Sequence, residues 1–454
     1  MYLKKVKLSI AAGMMLLLTD PGSAMAQQDI QIFSLRDCID YTLGKNPNNV
    51  VYSNNIEIAI RQKQEGMASY LPQINVTGTL DDNLKRPVTV LPGAIFGSPD
   101  PIAVQFGTQY ATGLTAQADQ VIFDQTSILA IKANKPNIEL SVLKKLRNDD
   151  DIIYNTSAAY YQVLIYKEQL KLLSVNEKKF SDLLVVQKLQ YDKGVITRTS
   201  LNRIQVNYNN ILSQKMVAET NYATSMNKLK NAMGIELGKD LKIIDSLDYG
   251  QIVSLPGVSD FNIKNKPDYK ILEKNITLQE IDLRRKRAAA LPSLTAYARY
   301  GGNALGNDFA QSYNKIYSFS SVGLKLNVPI FSSFKRHSQV AQSELTLNNT
   351  RQTLLINAQT LELQLQNANT QLVSSFNNVQ SNRNNMALAK DVFSDTDLQY
   401  QKGAASLTDF LNADYSYKEA QYNYINSLLT FLTARIDLER SKGTIKQFAN
   451  QLPK

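Results

Sequence analysis

The chain has 454 residues, 43% hydrophobic and 20% charged, with a formal net charge of +10. One cysteine (Cys38), one histidine (His337) and no tryptophan exclude an intrachain disulfide and a four-ligand Cys/His zinc site. No GxGxxG or GxxxxGK(S/T) cradle occurs among the 20 glycines, so no phosphate-bearing cofactor, and no enzyme, is indicated.

The basic residues are scattered among 40 acidic ones without a dense run, which argues against nucleic acid as a partner. Residues 1–26 read as a secretory signal peptide. Lys4, Lys5 and Lys7 precede the apolar run Leu8–Leu18, and Ala24-Met25-Ala26 supplies an A-x-A cleavage site. That run is shorter than the roughly 20 residues a membrane-spanning helix needs. No later apolar stretch is longer. Contact with a bilayer would therefore require strands closed into a barrel, because unpaired backbone is not tolerated in lipid.

After an N-terminal segment, 27–46, the chain is one unit used twice: repeat 1 over 47–235 and repeat 2 over 267–443. A linker, 236–266, lies between them, and a tail, 444–454, follows. Asn46-Pro47 opens a helical segment, and Leu71-Pro72-Gln73-Ile74 follows with its proline 25 residues on. Lys266-Pro267 and Leu291-Pro292-Ser293-Leu294 reproduce that spacing. Phe123 to Gly194 is 71 residues and Phe331 to Gly403 is 72, and Gly234 and Gly443 lie 40 beyond those glycines.

Each repeat offers one hairpin, about 72–123 and about 292–330, with alternating polarity. Ile74, Val76 and Leu80 oppose Gln73, Asn75, Thr77 and Thr79. On the returning stretch, Phe106, Tyr110, Thr112, Leu114, Ala116 and Ala118 oppose Gln105, Gln109, Thr115, Gln117 and Asp119. In repeat 2, Val322, Leu324, Leu326 and Val328 oppose Ser321, Lys325 and Asn327. A four-proline loop, 85–104, and a Gly/Asn loop, 301–315, join the strands.

Long helices follow. Ile152, Ala159, Tyr166, Leu173 and Phe180 recur every seven residues, as do Ala358, Leu365, Leu372, Val379, Met386, Phe393 and Tyr400. Such stripes indicate helices packed at coiled-coil spacing. Ser332 to Tyr400 would reach about 100 Å. Breaks are expected at 191–195 and 400–404, where Gly194 and Gly403 suit a helix end that needs positive φ. Four strands cannot close a barrel. Two chains would give a filled eight-stranded one, whereas three give twelve strands with room for water.

This pattern resembles the TolC family of outer-membrane efflux proteins, from Ser34-Leu35-Arg36-Asp37-Cys38-Ile39 to Gly443. The carriers are the duplicated N-P/K-P to L-P spacing, Val121-Ile122-Phe123-Asp124, Val328-Pro329-Ile330-Phe331, and the turns Tyr191-Asp192-Lys193-Gly194 and Tyr400-Gln401-Lys402-Gly403. The resemblance implies a mixed α and β membrane protein. It would be a homotrimer with a twelve-stranded β-barrel in outer-membrane lipid, continued by a periplasmic α-helical barrel. The linker and chain ends would form an equatorial region. It implies a passive duct served by a periplasmic adaptor protein and an inner-membrane transporter.

The resemblance also places the periplasmic mouth at the turns, with Lys193, Gly194, Val195, Lys402, Gly403 and Ala404 as adaptor contacts. Asp409 falls on the first acidic position of a constriction, Asn412 replaces the second, and Ser200 is the repeat-1 counterpart of Asp409. Tyr400 matches a tyrosine that bonds across the closed mouth. Plain reasons exist beside each: a solvated helix start for Asp409, and packing at the end of the stripe for Tyr400. Cys38 is expected as a small buried residue and His337 as an exposed one at a helix start. The rival reading is a secreted or surface coiled-coil structural or adhesive protein without a pore.

Overall fold

The computed structural model describes residues 32–97, 99–244 and 262–453. The expected signal peptide and much of the 236–266 linker lie outside the described residues. Repeat 1 comprises α2 (Pro47–Ala68), β2 (Gln73–Asp82), β5 (Tyr110–Phe123), α3 (Gln125–Asp192) and α4 (Arg198–Met233). Repeat 2 comprises α5 (Pro267–Ala288), β7 (Ser293–Gly306), β8 (Ile316–Asn327), α6 (Lys335–Gln401) and α7 (Leu407–Lys442). The matching elements occur in matching order.

Proline starts both short helices, where its missing N–H costs nothing and its φ suits the first turn. Asp124 caps α3 by accepting from the backbone N–H groups of Thr126 and Ser127. At 68 and 67 residues, α3 and α6 are each about 100 Å long. Pro136 lies inside α3 without ending it. Helix α6 begins at Lys335, after Ser333 and Phe334 in the left-handed region (φ 47° and 60°), slightly later than the Ser332 expected from the pattern. Gly234 and Gly443, both at positive φ, end α4 and α7.

The strands form one antiparallel sheet in the order β2-β5-β7-β8. Two expectations are corrected here. Residues 105–119 are not one strand: Gly107 at φ 93° breaks the run, and β5 starts at Tyr110. Gln105 instead belongs to β4 (Ile102–Gln105), which pairs with β3 (Val88–Leu91), so the proline-rich 85–104 loop carries a hairpin of its own. Residues 301–306 are strand rather than loop, because Gly301 and Gly302 pair with Thr115 and Leu114 on β5. Pairing on both sides of β7 overrides the weak strand preference of glycine. Only 307–315, with a short 3-10 turn at Gln311–Tyr313, remains loop.

The sheet has one apolar face with nothing against it among the described residues. Ile74 is 73% exposed, Val322 84% and Leu324 69%. Strands β2 and β8 are its edges, with no further strand beside them among the described residues. Long apolar edges of this kind invite pairing with another chain.

The core sits between sheet and helix tips. Here β1 (Ile32–Phe33) pairs in parallel with β6 (Lys242–Ile243), joining the N-terminal segment to the linker. Helix α1 (Leu35–Lys45) and α8 (Ile445–Gln451) pack on α3, α4 and α7 through Cys38, Ile39, Ile153, Leu229, Phe431, Ile445 and Phe448. The 444–454 tail is thus mostly a helix, and the Arg36 guanidinium donates to the Ala449 carbonyl at 2.6 Å. Burial and the neighbouring Asp37 charge push the Cys38 thiol up to about 12, so it packs as an inert apolar side chain. His337 is exposed in the first turn of α6.

Beside this core, α3, α5, α6 and α7 enclose a polar recess of about 820 Å³ lined by Arg147, Asp150, Asp151, Lys266, Asp268, Asp437 and Arg440 among others. Burial first, then the charges of Asp149, Asp151 and Asp268, raise Asp150 to about 6, with Lys446 opposing. A folded-state pKa above the unfolded one means that ionising Asp150 weakens the fold as pH rises through about 6. Asp150→Asn should therefore melt at a higher temperature than the parent above pH 6, and the gap should close below about pH 4. Parallel thermal melts across that range check it.

Candidate periplasmic gate

The far ends of the helical hairpins are built alike. In the first turn the Gly194 N–H donates to the Tyr191 carbonyl (2.9 Å) and the Val195 N–H to that of Gln190 (2.8 Å). In the second, Gly403 donates to Tyr400 (3.0 Å) and Ala404 to Gln399 (2.8 Å). Gly194 and Gly403 have φ of 74° and 76°, and a Cβ at either would meet nothing within 4 Å. These glycines therefore serve the backbone turn, not a close approach. Lys193, Gly194, Val195, Lys402, Gly403 and Ala404 are all exposed, Val195 to 71%.

The helices that return from the turns start differently. Ser406 caps α7 in a capping box: its hydroxyl accepts from the Asp409 N–H (3.1 Å), while the Asp409 carboxylate accepts from the Ser406 N–H (3.2 Å) and hydroxyl (2.6 Å). In repeat 1, Thr197 caps α4 by accepting from the Ser200 N–H, and Ser200 brings no carboxylate to complete a box. The bonds from Ser406 hold the Asp409 carboxyl below its ordinary range, so the exposed group stays ionised at neutral pH. Asp409 thus has a capping role of its own, and it keeps a negative charge at the tip. Asn412, one turn on, is exposed.

Tyr400 lies deeper. Its ring stacks on Phe410 (centroids 5.0 Å apart), and its hydroxyl accepts from the amide of Gln187 at 2.9 Å. Burial raises the phenol pKa while the Gln187 bond lowers it. Gln187 is buried on α3 and its carbonyl oxygen has no hydrogen-bond partner among the described residues. Tyr400 is therefore its main link to the second hairpin. A second tie joins the tips, from the Arg203 guanidinium on α4 to the Thr408 hydroxyl (3.0 Å).

Above the tyrosine lies a cluster that the sequence reading missed. Asp414, on α7 and buried, accepts from Lys179 on α3 (3.3 Å) and pairs with Lys418 one turn along its own helix (2.5 Å). Lys179 sits 3.6 Å from the centroid of Phe393 and Lys418 4.0 Å from that of Phe180. Burial lowers Lys418, with Asp414 opposing. Phe393 in turn stacks on Tyr417 (5.6 Å) and tilts against Phe410. One buried carboxylate and two lysines over aromatic rings thus bind the first hairpin to the second. The Asp414-x-x-x-Lys418 spacing was the available signal, an i,i+4 pair set against the Phe180 and Phe393 stripes.

The family model for outer membrane efflux proteins matches residues 263–444, which takes in all of repeat 2. The alkaline protease secretion protein AprF of Pseudomonas aeruginosa is 20% identical over 341 residues, covering 73% of this chain and 70% of that protein. Outer membrane protein TolC of Vibrio cholerae is 19% identical over 335 residues, covering 72% and 76%. Among solved structures, the transmembrane channel CusC superposes with a TM-score of 0.74 at 15% identity over 90% of this chain and 91% of its own. The fold is that of outer-membrane channels: mixed α and β, four long strands per chain, two repeats and paired helical hairpins.

Proposed function

Starting from an outer-membrane protein with a large periplasmic helical portion, whose second repeat carries the efflux-family match, we propose that three copies of this chain form the exit duct of a tripartite efflux or type I secretion system. The observation that carries this reading is the open sheet: four strands with an apolar face bare to solvent and two unpaired edges. Edge-to-edge pairing of β2 with the β8 of a neighbour, three times over, gives twelve strands, apolar outside against lipid and polar within. The hairpins then continue as a helical tube into the periplasm. Cargo passes without chemistry by the duct. Energy comes from an inner-membrane transporter joined through a periplasmic adaptor that grips the exposed turns at 193–195 and 402–404.

Helices α6 and α7 are held to the first hairpin by Gln187–Tyr400, Arg203–Thr408 and Lys179–Asp414. Opening the mouth means breaking those ties. Asp409, ionised at the tip, brings three like charges to one axis and attracts cations there. Purified protein in planar bilayers tests the reading. Discrete single-channel currents are expected, blocked by a multivalent cation added on the periplasmic side. A detergent-independent particle without conductance would favour the structural coiled-coil reading instead. Asp409→Asn, which can still accept at the cap, should weaken that block while leaving open-channel conductance in place. Gly403→Pro, which cannot adopt positive φ, should abolish export in cells although trimers still assemble. Resistance or secretion assays beside a cross-linking gel separate the two effects.

A further inference from the structure

The polar face of the sheet carries an uneven distribution of charge. Register aligns Asn75, Gln117, Arg299 and Ser321 in one row across β2, β5, β7 and β8. The next row on that face is Gln73, Asp119, Tyr297 and Gly323, and the one beyond holds Val121, Thr295 and Lys325. The Arg299 Nε donates to the Ser321 hydroxyl at 2.7 Å, which pins the guanidinium to the wall, 5.7 Å from the Tyr297 ring centroid. Tyr297 itself lies over Gly323: a Cβ at that glycine would come within 2.7 Å of the ring. The aromatic side chain therefore lies flat along the sheet, and Arg299 and Lys325 are exposed beside it.

Neither Arg299 nor Lys325 makes an ion pair with any described residue, and both are exposed. Asp119 is the acid among these three rows, with Gln117 donating to both of its oxygens at 2.9 and 3.0 Å, so two bases against one acid leave these rows net basic. The other acid on this face, Asp81, pairs opposite Ala111 toward the loop end of the sheet. It lies about 20 Å along β2 from the Asn75 row at 3.3 Å per residue, beyond a Debye length of about 8 Å. Strand β2, which would meet the next copy's β8, adds only Gln73, Asn75 and Thr77 at this level.

We propose that Arg299 and Lys325 of the three copies form a basic belt in the barrel lumen that binds anionic groups in transit and favours anions over cations in that part of the duct. This deepens the duct reading and rests on it. Belts of arginine and lysine act on carboxylates and phosphates by charge, and the pinned guanidinium presents its free N–H groups to such a ligand. The belt opposes in sign the acidic ring at the mouth, so each end of the duct selects by its own charge.

Reversal potentials in a salt gradient, and block by inorganic pyrophosphate added from the barrel side, test the proposal on the reconstituted full-length protein. The belt predicts that R299Q/K325Q moves the reversal potential toward cation preference and raises the half-blocking pyrophosphate concentration by roughly tenfold or more. R299K/K325R should keep both properties. Lys325→Gln alone, at a side chain with no bond to lose, should shift both in the same direction by a smaller amount. A double glutamine variant that conducts with unchanged reversal potential and unchanged block would overturn the belt. Silence of the unmodified protein in the bilayer would overturn the duct and the belt together.

Discussion

Asp414→Ala should destabilise the helical tube by about 2–3 kcal/mol, less than a fully buried pair because both lysines are partly solvated, and leave its mouth loose. The side chain is 6% exposed and is the acceptor that keeps both Lys179 and Lys418 at the junction of α3 and α7. Removing it leaves two ammonium groups, 30% and 22% exposed, whose desolvated sides have the faces of Phe393 and Phe180 beside them and no carboxylate. An unpaired buried charge costs far more than the pair contributes, which is why truncating one partner is severe. The variant should melt earlier, be cut by protease between the hairpins, and show frequent openings in bilayers. Replacing partners together, as in Asp414→Leu with Lys418→Met, should recover much of the loss, because the site is otherwise aromatic. A melting temperature unmoved by Asp414→Ala would show that the cluster does not hold the hairpins.

Tyr400→Ala should have the next largest effect, opening the mouth at a cost of about 2–3 kcal/mol for the lost, half-buried ring. The ring fills the space against Phe410, and its hydroxyl is the acceptor for a buried amide on the other hairpin. Tyr400→Phe divides the two contributions. It keeps the stack but leaves the Gln187 amide short of a partner, at about 1–3 kcal/mol. The alanine variant is expected to conduct in long, high-amplitude openings. The phenylalanine variant should open more often than the parent but close again. Equal open probabilities for parent and both variants would mean that the mouth is held elsewhere.

Much of this architecture was legible because duplication is easily read. Prolines at equal intervals located α2 and α5, and positive-φ glycines located both turns. The heptad positions Leu365, Leu372 and Val379 are buried between α6 and its neighbours, and Asn367, Asn369, Asn377 and Asn378 on the same helix are exposed. Period-two alternation located the hairpins but misjudged their ends. Gly301 and Gly302 looked like loop, yet strands on both sides hold them extended, a constraint that local composition does not carry. The β3–β4 hairpin hid for the opposite reason: four prolines outweighed the short runs Val88–Leu91 and Ile102–Gln105.

The candidate gate was legible only in part. Tyr400 and Asp409 stood out by position, but Gln187 did not, since a lone glutamine on a long helix carries no periodic signal, and the Ser406-x-x-Asp409 capping-box spacing was the signal available for Ser406. The Lys179–Asp414 tie spans 235 residues of chain and becomes apparent only when the two hairpins are laid side by side. Asp409 shows the converse. The carboxylate sought as a lumen charge is first an acceptor for its own helix start, so its removal must be tested with a residue that keeps the cap.

The mass of the particle purified in mild detergent, taken by native mass spectrometry, bears most directly on whether this sheet is one third of a barrel. Three chains per particle is the result expected from open edges on β2 and β8. A stable single-chain particle, with those edges still unpaired, would contradict the account at its base.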